Sequence, residues 1–414
     1  MAEKSAQSRV ASTPGRCDGG DVKILIAPDS YGTTMSAQEA AEVIAESWRK
    51  ISPEDQLRTI PLSDGGPGFL DVLASDGDTF ELIVVRDPKG EPVPVRVLLS
   101  KETAYIESAE IVGRGRYPES SDLVRTGSSY GVGQALEFVL QRVNLQGVNL
   151  QGVNLQGVNR ERDQFEAVKR VVIGLGGTAI NDGGAGLLAA LGATADVSLT
   201  DGGIALRGIT RLDLAAAVEK INSVQIVLAT DVDNPLTGPQ GATEMYGPQK
   251  GATPDDVREL EAALVEYERA LVAASGASYS IVLGPGAGSA GGLGAALLAL
   301  GATRRSGIEE VARHVDLPSS VEWADLVVTG EGSFDWQSLR GKVVSGVAFH
   351  ATRLGKPTIV LAGQVHCGRR EYTSIGIESA YAMAETPEQV AESMARPHLA
   401  LAALAERVSR TWSA

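Results

Sequence analysis

The sequence predicts an α/β protein in which a doubly wound parallel-sheet domain carries a second, mixed α/β domain as an insertion. Three observations lead there. Short apolar runs alternate with amphipathic stretches towards both ends of the chain, and each run closes on Gly, Asp or Ser. From about residue 78 to Glu107 the β-type runs follow one another with no helix between them. A chain of 414 residues, 43% of them apolar, is too long for one ordinary core and can fill two. The boundaries expected are a disordered polar extension at 1–20, a doubly wound domain from 21–77 plus 280–414, and an inserted domain at 78–279.

In chain order, Lys23 to Ala27 reads as a buried parallel strand ending in Pro28-Asp29-Ser30. Ser36 and Glu39 form a capping box for a helix whose inner stripe is Ala40, Ile44, Trp48 and Ile51. Leu57 to Leu62 is a second strand, followed by Ser63-Asp64-Gly65-Gly66-Pro67-Gly68 and a helix near Phe69. Glu81 to Val85, Val93 to Leu99 and Thr103 to Glu107 are the β runs of the insertion, and a helix opens at Tyr130. Asn144 to Asn159 repeats Asn-Leu-Gln-Gly-Val, too few copies to stack a core, and is expected to be a surface loop. Val171 to Gly174 and Gln225 to Ala229 are buried strands, and Thr253-Pro254-Asp255-Asp256 starts a helix. Ile281 to Leu283, Asp325 to Thr329, Pro357 to Leu361 and Ser379 to Ala382 are expected as further strands, with Lys342 well inside a helix and Thr386 capping a late one.

Composition excludes several classes. A formal charge of -15 lacks the cationic footprint that nucleic acid or an anionic membrane surface requires, though a local basic site for a small anion is compatible with it. Cys17 and Cys367 are the only cysteines, so neither a disulfide framework nor a thiolate zinc site is expected. No signal-peptide core and no apolar run of spanning length occurs, which points to the cytoplasm.

The chemistry concentrates where strands end. Gln225 to Ala229 delivers Asp231, Asp233 and Asn234 to the turn at Pro235, and Lys250 follows on the exit loop. Carboxylates beside a cation are what phosphoryl transfer uses: oxygen ligands for Mg²⁺, a proton acceptor, and positive charge for the phosphates. Asp29, Asp64 with Gly65 and Gly66, and Glu331 with Asp335 lie at other strand ends, where open α/β sheets bind ligands. Asn181 and Asp182 stand between glycine pairs in a segment that could cradle phosphate or carboxylate. Each loop could instead merely cap its own backbone. Gly286, Gly288 and Gly291 form a G-x-G-x-x-G, the signature of a rival NAD(P)-dependent oxidoreductase, but Pro285 is awkward for it and close backbone packing explains it as well. A non-catalytic small-molecule binding protein is the third reading. No Walker A motif is present.

Taken together, IAPDS (26–30), SDGG (63–66), GGTAINDGGAG (176–186), TDVDNPLTGPQGA (230–242), YGPQKGAT (246–253), PGAGSAGGLGAALLALGA (285–302) and TGEGSFDWQSLRGK (329–342) resemble the bacterial glycerate kinase family, the one unrelated to the plant type. The resemblance implies two α/β domains with the active site in the cleft between them, and phosphorylation of D-glycerate by ATP with Mg²⁺, most simply to 2-phosphoglycerate. It suggests Asp182 or Asp233 as the base, with Lys250 catalytic beside them, and Asp231, Glu331 and Asp335 as metal ligands. Asp29, Asp64, Gly65, Gly66, Asn181, Asn234, Arg340 and Lys342 would bind substrate or phosphate. Many members carry Phe-Lys-Gly after the first Asp-Ser and Glu at position 67. Here Tyr31-Gly32-Thr33 and Pro67 stand instead, which moves the charge role to Lys250 and Lys342.

Overall fold

The structure, a computed structural model, describes residues 22–117, 119–146, 168–282 and 284–413. The N-terminal extension lies outside the described residues, as does the repeat beyond the end of the helix Tyr130–Gln146. The strands in chain order are β1 (Lys23–Ile26), β2 (Gln56–Thr59), β3 (Thr79–Arg86), β4 (Pro92–Ser100), β5 (Thr103–Glu107), β6 (Arg170–Gly174), β7 (Thr194–Ala195), β8 (Leu212–Asp213), β9 (Gln225–Ala229), β10 (Thr303–Arg305), β11 (Leu326–Phe334), β12 (Thr358–Val365) and β13 (Ile377–Ala382).

They form two principal sheets. The first is five-stranded with order β13-β12-β11-β1-β2, parallel throughout. The second is six-stranded, β10-β9-β6-β5-β4-β3, parallel from β10 to β5 and antiparallel through β4 and β3. A small antiparallel β7-β8 pair stands apart.

Continuous apolar runs make sense because both faces of each central strand are covered. Ile24 and Ile26 point to the layer formed by the helices Ala37–Ile51 and Pro397–Trp412. Leu25 and Ala27 point the other way, into a core shared with Leu98, Tyr105, Val172 and Val227 of the second sheet. The helices Phe69–Leu73, Gly307–His314, Leu317–Trp323 and Val343–Arg353 complete that shared core. Val171 and Ile173 face the opposite layer, with the helices Tyr130–Gln146, Ala185–Ala190, Pro254–Ser275 and Leu293–Ala299. The sheets are therefore joined by one body of buried side chains. The caps form as the sequence requires: Ser36 with Glu39, Thr253 with Asp256 and Thr386 with Gln389 each close a capping box.

Three expectations are corrected. Tyr279–Val282 is a short helix, where a strand was expected at 281–283. Period alone does not separate so short an apolar run from a helical turn. After residue 280 the chain serves the second sheet first: β10 pairs with β9, and the first sheet is rejoined at Leu326. Alternation of strand and helix carries no information about which sheet accepts a strand. Finally, β11 extends to Phe334, so Glu331 lies within the strand, and Lys342 is the N-cap of Val343–Arg353 rather than a residue inside a helix.

The glycine-rich turn at 286–292 has a packing explanation. At Gly288 an added Cβ would overlap the Pro235 carbonyl, and at Gly291, with φ +70°, it would overlap the Ile180 carbonyl. Gly291→Ala is expected to cost at least ~3 kcal/mol, as left-handed strain and overpacking combine. Gly276→Ala, with φ +64° and nothing within 4 Å of the new methyl, should cost only about 1 to 2 kcal/mol. Paired denaturant melts of the two variants check this.

Candidate active site

The Ser63–Gly66 turn, which follows β2 of the first sheet, packs against the carboxyl ends of β6 and β9 in the second. A Cβ on Gly65 would lie 2.7 Å from the Ala229 carbonyl at the end of β9, and one on Gly176 would lie 2.7 Å from the Gly66 Cα. Only glycine permits an approach so close. The acids that terminate strands of different sheets are consequently brought together.

Asp29 leaves β1 with its N–H donating to Gly330 in β11 at 2.8 Å, beside Glu331. Its carboxyl is held well above the ordinary range, first by burial, then by the charge of Asp64, with Glu331 adding and Lys342 opposing. Glu331 is buried and pushed up to about 7, chiefly by burial. Asp335 and Asp64 reinforce the shift, while the Ser338 hydroxyl and Lys342 oppose it. Its Oε1 has no hydrogen-bond partner. Asp231 arrives from the second sheet and accepts the Gly307 and Ile308 N–H groups at 3.2 and 3.0 Å, at the start of Gly307–His314. Burial pushes it up to about 7 and Asp64 adds to the shift, against Ser306 and Arg304. A Cβ on Gly341 would be 3.9 Å from the Asp231 Cβ, so the loop carrying Asp335, Arg340 and Lys342 lies beside the same group. Asp29, Asp64, Asp231 and Glu331 thus form one acidic cluster, with Lys342 as its cation.

Mutual repulsion, burial and an unpartnered carboxylate oxygen are features that a divalent cation would relieve. Among the described residues no three acidic, His or Cys side chains are placed to hold an ion by themselves. Mg²⁺ is commonly held by one or two carboxylates together with phosphate oxygens, so these acids would need a bound phosphate to complete a site for it.

The remaining expected site residues are less uniformly placed. Asp233 is 77% exposed and pairs with Arg304 at 2.7 Å. Asn234 is committed to its own loop, donating to Gln240 and accepting from the Tyr246 hydroxyl. Asp335 accepts the Gln337 N–H, and Arg340 is exposed with its guanidinium over the Trp336 ring.

Asp182, expected as a base, lies in the interior. It is 0% exposed and accepts from the Ser129 N–H, the Ser129 hydroxyl and the Gly184 and Gly186 N–H groups. Three of these bonds fall on Oδ2 and one on Oδ1, so the buried carboxylate ties Ser129 to the glycine-rich segment as an internal cap. Lys250 is also buried, with Nζ donating to the Ile180 carbonyl at 2.6 Å. Burial pushes its pKa down to about 7, nearby Arg114 adds to this, and Asp182 opposes it. Asn181 sits next to that carbonyl and donates to Thr243 at 2.9 Å.

Sequence reasoning missed Ser306, Arg304, Tyr31 and Glu107. Ser306 and Glu309 have the S-x-x-E spacing of a helix start, and Ser306 does accept the Glu309 N–H. Tyr31 is buried with its hydroxyl on the Leu361 carbonyl and lies close to Glu331 and Asp29. Glu107 accepts the Gly68 and Leu70 N–H groups, anchoring the segment after Asp64, and burial pushes it up to about 7. Nothing in the sequence ties Arg304 or Glu107 to these partners, which are distant in the chain.

Comparison with known proteins agrees with this geometry. A family profile described as the Glycerate kinase family matches residues 24–413. The chain is 34% identical over 380 residues to a protein named glycerate kinase from Halalkalibacterium halodurans, covering 90% of this chain and 93% of that protein. It is 36% identical over 352 residues to the protein named glycerate 2-kinase from Escherichia coli K12, covering 83% and 86%. A crystal structure of a Salmonella typhimurium LT2 protein assigned as glycerate kinase 2 superposes with a TM-score of 0.71 at 32% identity, covering 95% of this chain and 99% of that one. With acids from both sheets meeting at their carboxyl ends and the likeness running through nearly the whole chain, this protein belongs to the glycerate kinase family and is a kinase.

Proposed function

We propose that the protein transfers the γ-phosphoryl group of ATP to the 2-hydroxyl of D-glycerate, giving 2-phosphoglycerate and ADP in the cytoplasm, where ATP is supplied. The observation that carries this reading is the convergence of Asp29, Asp64, Asp231 and Glu331 with Lys342 from two different sheets. The names of the relatives supply the acceptor.

In this reading one or two of the carboxylates of Asp29, Asp64 and Glu331 would hold Mg²⁺ together with the nucleotide's phosphate oxygens, and the ion would supply positive charge to those oxygens. Lys342 places a second positive charge beside them. The 2-hydroxyl oxygen bonds to the γ-phosphorus as the bond to the bridging oxygen breaks and ADP leaves. The hydroxyl proton passes to Asp231, whose carboxyl near 7 suits a base and whose orientation is fixed by the Gly307 and Ile308 N–H groups. Asp233, paired with Arg304 at the exposed lip, orders the loop.

The direct test is ADP release from ATP and Mg²⁺ with D-glycerate, glycerol, lactate or tartronate, and phosphorus NMR to locate the phosphate. Absence of ADP with glycerate, or a 3-phospho product, overturns the proposal in whole or in part. Asp231→Asn should lower kcat by about 100-fold or more, while Asp233→Asn should cost less than ~10-fold. Steady-state kinetics of the two decide where the base lies.

Stability should also respond to pH. Asp231 and Glu331 are raised to about 7 from ordinary values of 3.8 and 4.5. Between about pH 4 and pH 7 the folded chain therefore holds protons that the unfolded chain has released, and the stability present below this window is lost as pH rises through 7. Melting temperatures of the nucleotide-free protein should fall from pH 5 to pH 8, and Glu331→Gln should flatten that slope.

A further inference from the structure

Beside the acidic cluster, across the Gly176–Gly177 turn, lies a cationic side that the phosphoryl chemistry above does not use. Arg114 follows the short helix Ser108–Val112, and its N–H donates to the Gly177 carbonyl at 2.8 Å. Gly113 bridges to Thr178, fixing the turn. On the opposite flank a Cβ on Gly177 would lie 2.9 Å from Pro67, three positions after Asp64. Arg114 is thus a short step from the acidic cluster, held there by backbone rather than by its side chain.

The side chain itself is unusual for what it lacks. Arg96 is bound by Asp71 and Glu110, Arg125 by Asp256 and Glu259, and Arg170 by Glu310. The half-buried guanidinium of Arg114 has no hydrogen bond or ion pair among the described residues. Its electrostatic neighbour is another cation, the buried ammonium of Lys250. Two neighbouring cations taken partly out of water repel each other unless an anion joins them. Lys250 in turn holds the Ile180 carbonyl, and the next residue, Asn181, is 0% exposed with Oδ1 unpartnered while its Nδ2 serves Thr243. A buried acceptor left without a donor is costly, and a ligand hydroxyl would satisfy it.

We propose that Arg114, backed by Lys250 and Asn181, is the seat of the acceptor acid: the guanidinium takes the carboxylate, and Asn181 Oδ1 accepts a hydrogen bond from the hydroxyl that is not phosphorylated. The class of ligand is a small hydroxy acid with a second hydroxyl. Arg114 is then a specificity residue, and Arg340 on its Trp336 platform is not needed for the carboxylate. The inference rests on the kinase reading but is tested apart from it.

The experiment compares wild type, Arg114→Lys and Arg114→Met. In kinetics, Arg114→Met should raise the KM for D-glycerate roughly 10- to 100-fold, with the KM for ATP unchanged and the melting temperature of the unliganded protein no lower than wild type, and Arg114→Lys should recover part of the loss. In parallel, D-glycerate and lactate are titrated against the nucleotide-free proteins by thermal shift. Wild type should be stabilised more by glycerate than by lactate, and Arg114→Met by neither. A variant with wild-type KM and a wild-type glycerate shift overturns the site. A wild type that releases no ADP yet shows a glycerate shift lost in Arg114→Met removes the kinase reading and keeps the site.

Discussion

The contact on which the structure depends is the backbone approach of the Ser63–Gly66 turn to the ends of β6 and β9. It can form because Gly65 and Gly176 present no side chain to the opposing backbone. It matters because Asp29, Asp64 and Glu331 belong to one sheet and Asp231 to the other. Without that approach the acids of the two sheets would not share a site. With it Asp29, Asp231 and Glu331 lie partly out of water around Asp64, whose charge raises all three.

Behind this contact the shared apolar core keeps the sheets in place. Leu25 and Ala27 pack in the same body of side chains as Val172 and Val227. Burial of this kind is non-directional and strong in sum, and it offsets the local cost of crowding carboxylates partly out of water. The helix Gly307–His314 links both effects. Its apolar face lies in the shared core while its first N–H groups hold the Asp231 carboxylate.

Similar-looking glycine-rich segments turn out to have different physical roles. The turn at 286–292 is threaded between the Pro235 and Ile180 carbonyls, so its glycines answer to packing within the chain. The segment around Asn181 and Asp182 divides its work. Asp182 is consumed by four hydrogen bonds to its own surroundings, whereas Asn181 keeps a buried acceptor unpaired. Acidic and cationic groups then stand on either side of Gly176–Gly177, an arrangement suited to a phosphate-bearing partner on one side and an acidic acceptor on the other.

The sequence by itself determined the local structure: buried parallel strands from continuous apolar runs, helix starts from Ser36, Thr253 and Thr386, and the placing of Asp29, Asp64 and Asp231 beyond strand ends. These follow from forces acting over a few residues, and the ordered motifs carried the family as well. Only the tertiary structure decided which acids share a site, that β10 joins the second sheet, that Asp182 is spent as an internal cap, and that Arg114 stands beside Lys250 without a carboxylate. Those outcomes depend on burial and on partners far away in the chain, such as Asp231 with Gly307 or Glu107 with Leu70, and no local pattern encodes the desolvation that sets their charge.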